Sequence, residues 1–307
     1  MGRNSRAKNM TVLITGATGL LGEALIATDA GSHTILGGYL GEYAMKNARS
    51  VRYACVDICD EHEMAKLFRG NDIDIVIHTA GVADVDLCER HYDAAYSSNV
   101  TGTKAIVELC ADAGAKLVYI STNAVFDGTK APYREDDLAN PINKYGEMKI
   151  ECEKMVSKHI KNFLIIRPIL MYGWNNENER DNLVTSLLKK LPKQETVNMV
   201  TDIYDNPLSA HHCACVIWEL LEKNKTGIYH VAGKDIVNRY EYALAIAEVF
   251  NLDRSLIKPV NSNFFPNIAP RPKNTSYDTS KLEKDIGFRP LGLREGLLLM
   301  KDNRPRR

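Results

Sequence analysis

The sequence predicts an α/β fold: a doubly wound parallel sheet with a smaller, irregular C-terminal lobe. Three observations carry this. Short apolar, β-branched runs alternate with amphipathic stretches through residues 11–168. The first run passes at once into glycines. The spacing between runs leaves room for a helix, which makes βαβ units and a sheet covered on both faces.

In chain order, TVLIT (11–15) is a buried strand and LLGEALIATDA after it has helical character. HTILGG (33–38) and VRYACVDI (51–58) are strands two and three. Asp60 with Glu63 forms a capping box that opens the helix EHEMAKLF. DIVIHTAG (74–81) is strand four, a long helical stretch covers 91–113, and KLVYIST (116–122) is strand five. Helix 144–158 leads to NFLIIRP (162–168), strand six. Right-handed crossovers wind such units into a Rossmann-type sheet.

Past Pro168 the regularity weakens. LVTSLLKKL, HCACVIWELLEK and NRYEYALAIAEVF have helical patterns, and GIYHVA (227–232) is another short strand. The expected organisation is a dinucleotide-binding domain over 10–170 and 205–235. A substrate-binding lobe is woven from 171–204 and 236–300. Residues 1–9 are a disordered extension or a cloning remnant, with Met10 as the natural start.

The chain has 307 residues, enough for two lobes. Lys plus Arg and Asp plus Glu both number 39, so no global field favours nucleic acid or an anionic membrane. The polar, basic start is no signal peptide, and no apolar run is long enough to span a bilayer. The 7 cysteines are scattered and odd in number, which points to reduced thiols and a cytoplasmic setting.

GATGLLG places Gly16, Gly19 and Gly22 between the first strand and the first helix. A pyrophosphate cradle needs this arrangement. The first glycine makes the tight turn, the second lets the phosphates approach the backbone, and the third lets helix and sheet pack closely. The helix start supplies free N–H groups. Strand two ends in Gly37-Gly38-Tyr39 with no acid to hold a ribose 2′-hydroxyl. Glu42, Lys46 and Arg49 all lie further on. NAD and NADP both stay open, and the missing carboxylate favours NADP. Asp57, at the end of strand three, is free to bind adenine because Asp60 serves as the helix cap.

Tyr145 and Lys149, in PINKYGEMK, are one helical turn apart and share a face. A free tyrosine has a pKa near 10, and a nearby ammonium lowers it toward a useful acid–base range. Strand five ends in Ser121-Thr122, and Thr122 points into the crevice at the carboxyl ends of the strands.

With these motifs the chain resembles an extended short-chain dehydrogenase/reductase. Within that superfamily it is most similar to the dTDP-4-dehydrorhamnose reductases. HTAG (78–81) and NVTGT (99–103) add to the likeness. So do the longer stretches STNAVFDGTKAPYREDDLANPINKYGEMK (121–149) and RPKNTSYDTSKLE (271–283). The resemblance implies Thr122, Tyr145 and Lys149 as catalytic triad. It implies a cofactor site of Gly16, Thr18, Gly19, Leu20, Leu21, Gly22, Asp57, Ile58, Ala80 and Gly81 with Tyr145 and Lys149, and substrate contacts from Thr122, Asn123 and Arg271. The family pattern has Asp-Tyr after the threonine where Asn123-Ala124 stand here, which puts the sugar in question and argues against 4,6-dehydratase chemistry. The implied activity is NAD(P)H-dependent reduction of a nucleotide-linked 4-keto-6-deoxy sugar. The same region also resembles the regulatory beta subunit of methionine adenosyltransferase. A 4-epimerase and a non-catalytic NADP-binding regulatory subunit are therefore the alternatives.

Three features carry weaker readings. HHCAC (211–215) has metal-site composition, but Cys213 and Cys215 fall on different helix faces, so no metal is expected. Arg167 is read as structural. NENERDN (176–182) is read as a solvated loop or substrate lid. Members of the superfamily commonly pair through the helices flanking strand five. The apolar residues Ala94, Ala95, Val100, Ile106, Val107 and Leu109 lead to the expectation of a homodimer.

Overall fold

A computed structural model describes residues 10–29, 31–41, 51–176, 180–265 and 269–304. Seven parallel strands form the central sheet: β1 (Thr11–Thr15), β2 (Thr34–Tyr39), β3 (Val51–Cys55), β4 (Ile75–His78), β5 (Lys116–Ile120), β6 (Phe163–Pro168) and β7 (Gly227–Val231). Their order is β7-β6-β5-β4-β1-β2-β3. The strand order reverses between β1 and β4, where the crevice of a doubly wound sheet opens.

Helices cover both faces. On one, α1 (Leu20–Thr28) packs with α8 (Ala210–Glu222), joining Leu25, Trp218, Ile14 and Ile166 in one apolar cluster, and α10 (Ser280–Ile286) adds to it. On the other lie α2 (Glu61–Arg69), α5 (Gly102–Ala113) and α6 (Lys144–His159), whose Met64, Ile106 and Met148 pack with Leu13 and Tyr119. Strand residues alternate between the two clusters, as the two-residue period of a strand requires. A third cluster draws Leu187 from α7 (Leu183–Lys190), Ile246 from α9 (Arg239–Phe250) and Leu297 from α11 (Leu293–Asp302). Tyr277, Leu282 and Ile286 are packed against the sheet, in the first cluster rather than the third.

Several boundaries differ from the expectation. Strand three stops at Cys55, and Asp57 then turns the chain: its carboxylate accepts from Cys59 N at 2.9 Å. Asp60 caps α2 through Glu63 N at 3.0 Å, but Asp60 N is taken by the Asp57 carbonyl, so the reciprocal half of a capping box is missing. The stretch 91–113 is no single helix. It begins earlier, at α3 (Val85–Arg90), breaks at His91, resumes as α4 (Tyr92–Tyr96), and passes through a π-helical turn at Ser97–Thr101 before α5. Strand five stops at Ile120; Ser121 follows it with its N still bonded to the Ile166 carbonyl at 2.7 Å, and Thr122 comes next.

Candidate active site

The glycine loop is shaped by contacts that a side chain would break. Gly16 has φ +68°, and a Cβ there would lie 2.8 Å from Ala80 N. At Gly22 a Cβ would lie 2.3 Å from the Gly16 carbonyl. Gly19 differs: a Cβ would meet only the Gly16 carbonyl, at 3.4 Å, so its side faces open space. The first helical bond runs from Glu23 N to the Gly19 carbonyl at 2.9 Å. Leu20, Leu21 and Gly22 therefore contribute the unpaired first-turn amides of α1. This cradle fits a dinucleotide pyrophosphate, since a free helix start faces a gap that only the protein's lack of a side chain leaves open. Strand two serves the same end. Ala17 N donates to the Gly38 carbonyl at 3.0 Å, and a Cβ on Gly37 would lie 3.0 Å from that of Ala17.

Thr18, Ala80 and Gly81 border the loop. The Thr18 carbonyl accepts from Asn176 Nδ2 at 3.1 Å, a contact onto the cradle from the chain beyond β6. Gly81 has φ +145°, and a Cβ there would lie 2.6 Å from Asn99 Oδ1. Asn99, 3 % exposed, holds this turn with Oδ1 accepting from Val82 N at 2.7 Å and Nδ2 donating to the Val82 carbonyl at 3.0 Å. Its own carbonyl accepts from the Thr103 hydroxyl at 2.5 Å. The motif NVTGT contains Asn99, to which the motif alone gives no role. An asparagine inside a helical pattern is a signal in itself, because such residues compete with the helix for backbone partners. Asp57 is exposed with its carboxylate turned to its own loop, while Ile58 is buried against Gly102. Glu42, Lys46 and Arg49 lie outside the described residues.

His78 links these parts. Its Nδ1 lies 2.6 Å from the Thr15 hydroxyl and its Nε2 3.0 Å from that of Thr103. Thr103 spends its proton on the Asn99 carbonyl, so Nε2–H donates to Thr103 and Nδ1 accepts from Thr15. Burial first, then the Lys149 charge, push the His78 pKa down to about 3, and the ring is neutral.

Thr122, Tyr145 and Lys149 come together at the end of strand five, each buried. Asn143 caps α6 through Gly146 N at 2.9 Å and so fixes where Tyr145 enters. Gly146 is required there, since a Cβ would lie 2.2 Å from the Ala124 carbonyl. The Thr122 hydroxyl donates to Asn123 Oδ1 at 3.3 Å and accepts from Ala124 N at 3.1 Å, close enough to the Tyr145 phenol to influence its ionisation. Lys149 Nζ donates to the Ile120 carbonyl at 2.9 Å and lies 5.8 Å from the centre of the Tyr145 ring. The expectation that lysine lowers the tyrosine pKa is not met in this geometry. Burial pushes Tyr145 up to about 12, with the Thr122 hydroxyl as the opposing influence. Burial also lowers the Lys149 pKa below its ordinary value.

The substrate-side residues are engaged with protein groups. Asn123 Nδ2 donates to the Thr275 hydroxyl at 2.6 Å, tying the end of strand five to the 271–283 stretch. Ala124 packs into the second apolar cluster. Arg271 Nη1 donates to Asp86 at 2.9 Å and to the Ala269 carbonyl at 2.6 Å, so its charge is spent on α3, although the side chain stays part-exposed. Asn143 Nδ2 reaches the Pro270 carbonyl beside it at 3.0 Å. Arg167 is structural as expected: 4 % exposed, it grips Glu153 with two bonds of 2.9 and 2.6 Å. In HHCAC, Cys213 is buried and Cys215 exposed.

The chain matches the family model described as RmlD substrate binding domain over residues 10–304. Among solved structures it is similar to a dTDP-4-dehydrorhamnose reductase from Bacillus anthracis in complex with NADP. The TM-score is 0.84 at 25% identity, covering 96% of this chain and 100% of that one. A dTDP-4-dehydrorhamnose reductase ortholog from Clostridium acetobutylicum gives 0.82 at 29% identity, covering 95% and 99%. Among curated proteins, methionine adenosyltransferase 2 subunit beta of Xenopus laevis is 34% identical over 297 residues, 93% of this chain and 86% of that protein.

Proposed function

The chain belongs to the RmlD substrate binding domain family, and from that premise we propose an NADP(H)- or NAD(H)-dependent reductase of a nucleotide-linked 4-keto-6-deoxy sugar. The single observation that carries it is the joint burial of Thr122, Tyr145 and Lys149 at the end of strand five, with Lys149 one helical turn from Tyr145. The relative bound to NADP supports the cofactor.

The cradle amides of Leu20, Leu21 and Gly22 would hold the pyrophosphate, and Lys149 the ribose beside the nicotinamide. When bound, the reduced nicotinamide supplies hydride to the C4 carbonyl. Thr122 hydrogen-bonds that carbonyl oxygen, and Tyr145 gives it a proton as charge develops. A phenol held near 12 is fully protonated at neutral pH, which suits a donor in the reductive direction. The buried Lys149 ammonium supports the phenolate left behind, a role that follows proton loss rather than preparing it. Asn123 stays where the family places a carboxylate, and it cannot serve as the acid of a dehydratase.

The lobe around α7, α9 and α11 would take the nucleotide end of the substrate. Arg271 would reach the diphosphate only by giving up Asp86. Two copies would pair across α4 and α6, where Tyr92, Tyr96, Thr101 and Glu151 line a groove of about 440 Å³. The apolar argument for that pairing is weaker than the sequence suggests. Ala95, Val100, Ile106 and Val107 are all consumed inside the subunit. The setting proposed is the cytoplasm, with neither nucleic acid nor membrane as partner. Balanced charge supports this, and among the described residues no helix is long and apolar enough to cross a membrane.

A second reading, a cofactor-binding regulatory subunit, is favoured by the 34% identity to methionine adenosyltransferase 2 subunit beta. A panel of dTDP-, UDP-, GDP- and CDP-linked 4-keto sugars separates them. A reductase consumes reduced cofactor in proportion to sugar. A 4-epimerase purifies with cofactor and shows no net consumption. A regulatory subunit binds cofactor and turns over none of the panel.

A further inference from the structure

Lys149 and Glu153 sit on successive turns of α6, and both fasten that helix to the end of strand five. Lys149 Nζ holds the Ile120 carbonyl at 2.9 Å. One residue on, the Ser121 hydroxyl donates to Glu153 Oε1 at 2.5 Å. Thr122 comes next. Ser121 is 3 % exposed and Glu153 5 %, so neither bond is shared with solvent.

A buried carboxylate survives only if it is paired and its lone pairs are filled. Arg167 of β6 provides this with two bonds to Glu153, and its guanidinium lies 5.3 Å from the centre of the Phe126 ring. The arginine is braced in turn by β7. His230 Nδ1 lies 3.1 Å from the Tyr133 carbonyl, so Nδ1 carries the proton and Nε2 accepts from Arg167 Nη1 at 3.3 Å. The His230 ring stacks on Tyr277 with centroids 3.9 Å apart. Strands five, six and seven are thus locked to α6 at one point, directly behind Thr122 and Tyr145.

Resting on the reductase reading above, we propose that Glu153 is a positioning residue for the reaction. Clamped by Arg167, it holds Ser121 and so sets the Thr122 hydroxyl against the Tyr145 phenol. It touches neither substrate nor cofactor and acts through Ser121. A purely structural ion pair would change stability and leave the chemical step alone. A positioning role predicts a loss in kcat that stability does not explain.

Ser121→Ala is the discriminating variant. It removes the link to Glu153 yet leaves the Glu153–Arg167 pair intact, so no buried charge is orphaned and the protein folds. Steady-state kinetics of the intact protein should show kcat down about tenfold, with KM for the keto sugar within twofold and cofactor affinity unchanged. Ser121→Thr, which restores the hydroxyl, should recover most of the loss. A parent-like kcat in Ser121→Ala would overturn the proposal. So would an equal loss in Ser121→Thr. A crystal structure of Ser121→Ala decides independently of any activity: Thr122 should be displaced from Tyr145, and an unmoved Thr122 would overturn it. A parent protein that reduces none of the keto sugars would instead defeat the reductase reading, and the displacement would still decide the positioning claim.

Discussion

The proposed cofactor cradle and catalytic edge lie at the same end of one sheet and are built in opposite ways. The cradle is backbone and absence. Gly16 and Gly22 are glycines because neighbouring backbone fills the space, whereas a side chain at Gly19 would face open space. The catalytic edge is side chain and presence. Thr122, Tyr145, Lys149, Glu153 and Arg167 are all buried, Lys149 is bonded to the end of strand five and Glu153 to Arg167. The cradle can therefore lose its ligand without losing its fold. At the edge, chemistry and stability are harder to separate.

The sharpest attack on the edge is Tyr145→Phe. It deletes only the proton donor, so turnover should fall by about 10²–10⁴-fold or more while cofactor affinity holds. Reductase activity within tenfold of the parent would remove the assigned role.

In the cradle, Gly19→Val and Gly22→Ala should part company. A side chain at Gly19 meets only one protein atom, at 3.4 Å. Gly19→Val should keep the parent melting temperature and lose cofactor binding by calorimetry. Gly22→Ala must push against the Gly16 carbonyl at 2.3 Å and should lose stability as well. Parent-like affinity in Gly19→Val would mean that the nucleotide sits elsewhere.

The two regions also differ in what the sequence reveals. The cradle is local: three glycines at fixed spacing between a strand and a helix specify a backbone path, and GATGLLG shows all of it. Tyr145 and Lys149 are equally legible because one helical turn relates them. What holds them is not. Glu153 and Arg167 belong to different elements, His230 to a third, and only the β5-β6-β7 order brings them together. Asn99 was hidden for another reason. A π-helical turn at Ser97–Thr101 rotates it toward Val82, and a 3.6-residue period does not anticipate that turn. Arg271 was legible as a cation near the substrate lobe, but its pairing with Asp86 spans 185 residues of chain.

Acid should weaken the two regions together, since His78 braces the cradle side and His230 the edge. His78 and His230 are buried and neutral, each pushed from 6.5 down to about 3, by burial first and then by Lys149 and Arg167 respectively. The unfolded chain takes up these protons below about pH 6.5 and the folded chain does not until about pH 3. Stability from this source is complete above the higher value and is lost as pH falls through that window. Urea midpoints should decline from about pH 7 to about pH 5. A flat midpoint would show that one or both rings protonate in place.

The smallest effect expected is at the lobe contact. Asp86→Asn releases Arg271 from a part-exposed ion pair worth about 0–1 kcal/mol. If Arg271 serves the diphosphate, KM for the nucleotide sugar should fall by up to about fivefold with kcat unchanged. A rise in KM would mean that Asp86 supports the site rather than competing for it.

The Thr122–Tyr145–Lys149 edge is proposed to reduce a sugar carbonyl. The most direct measurement is the stoichiometry of reduced cofactor oxidised against dTDP-4-keto-6-deoxy sugar converted, followed with purified protein. One cofactor consumed per sugar reduced, abolished in Tyr145→Phe, is the predicted result. Tight cofactor binding with no consumption on any keto sugar, and raised activity of a methionine adenosyltransferase when the two are mixed, would contradict it.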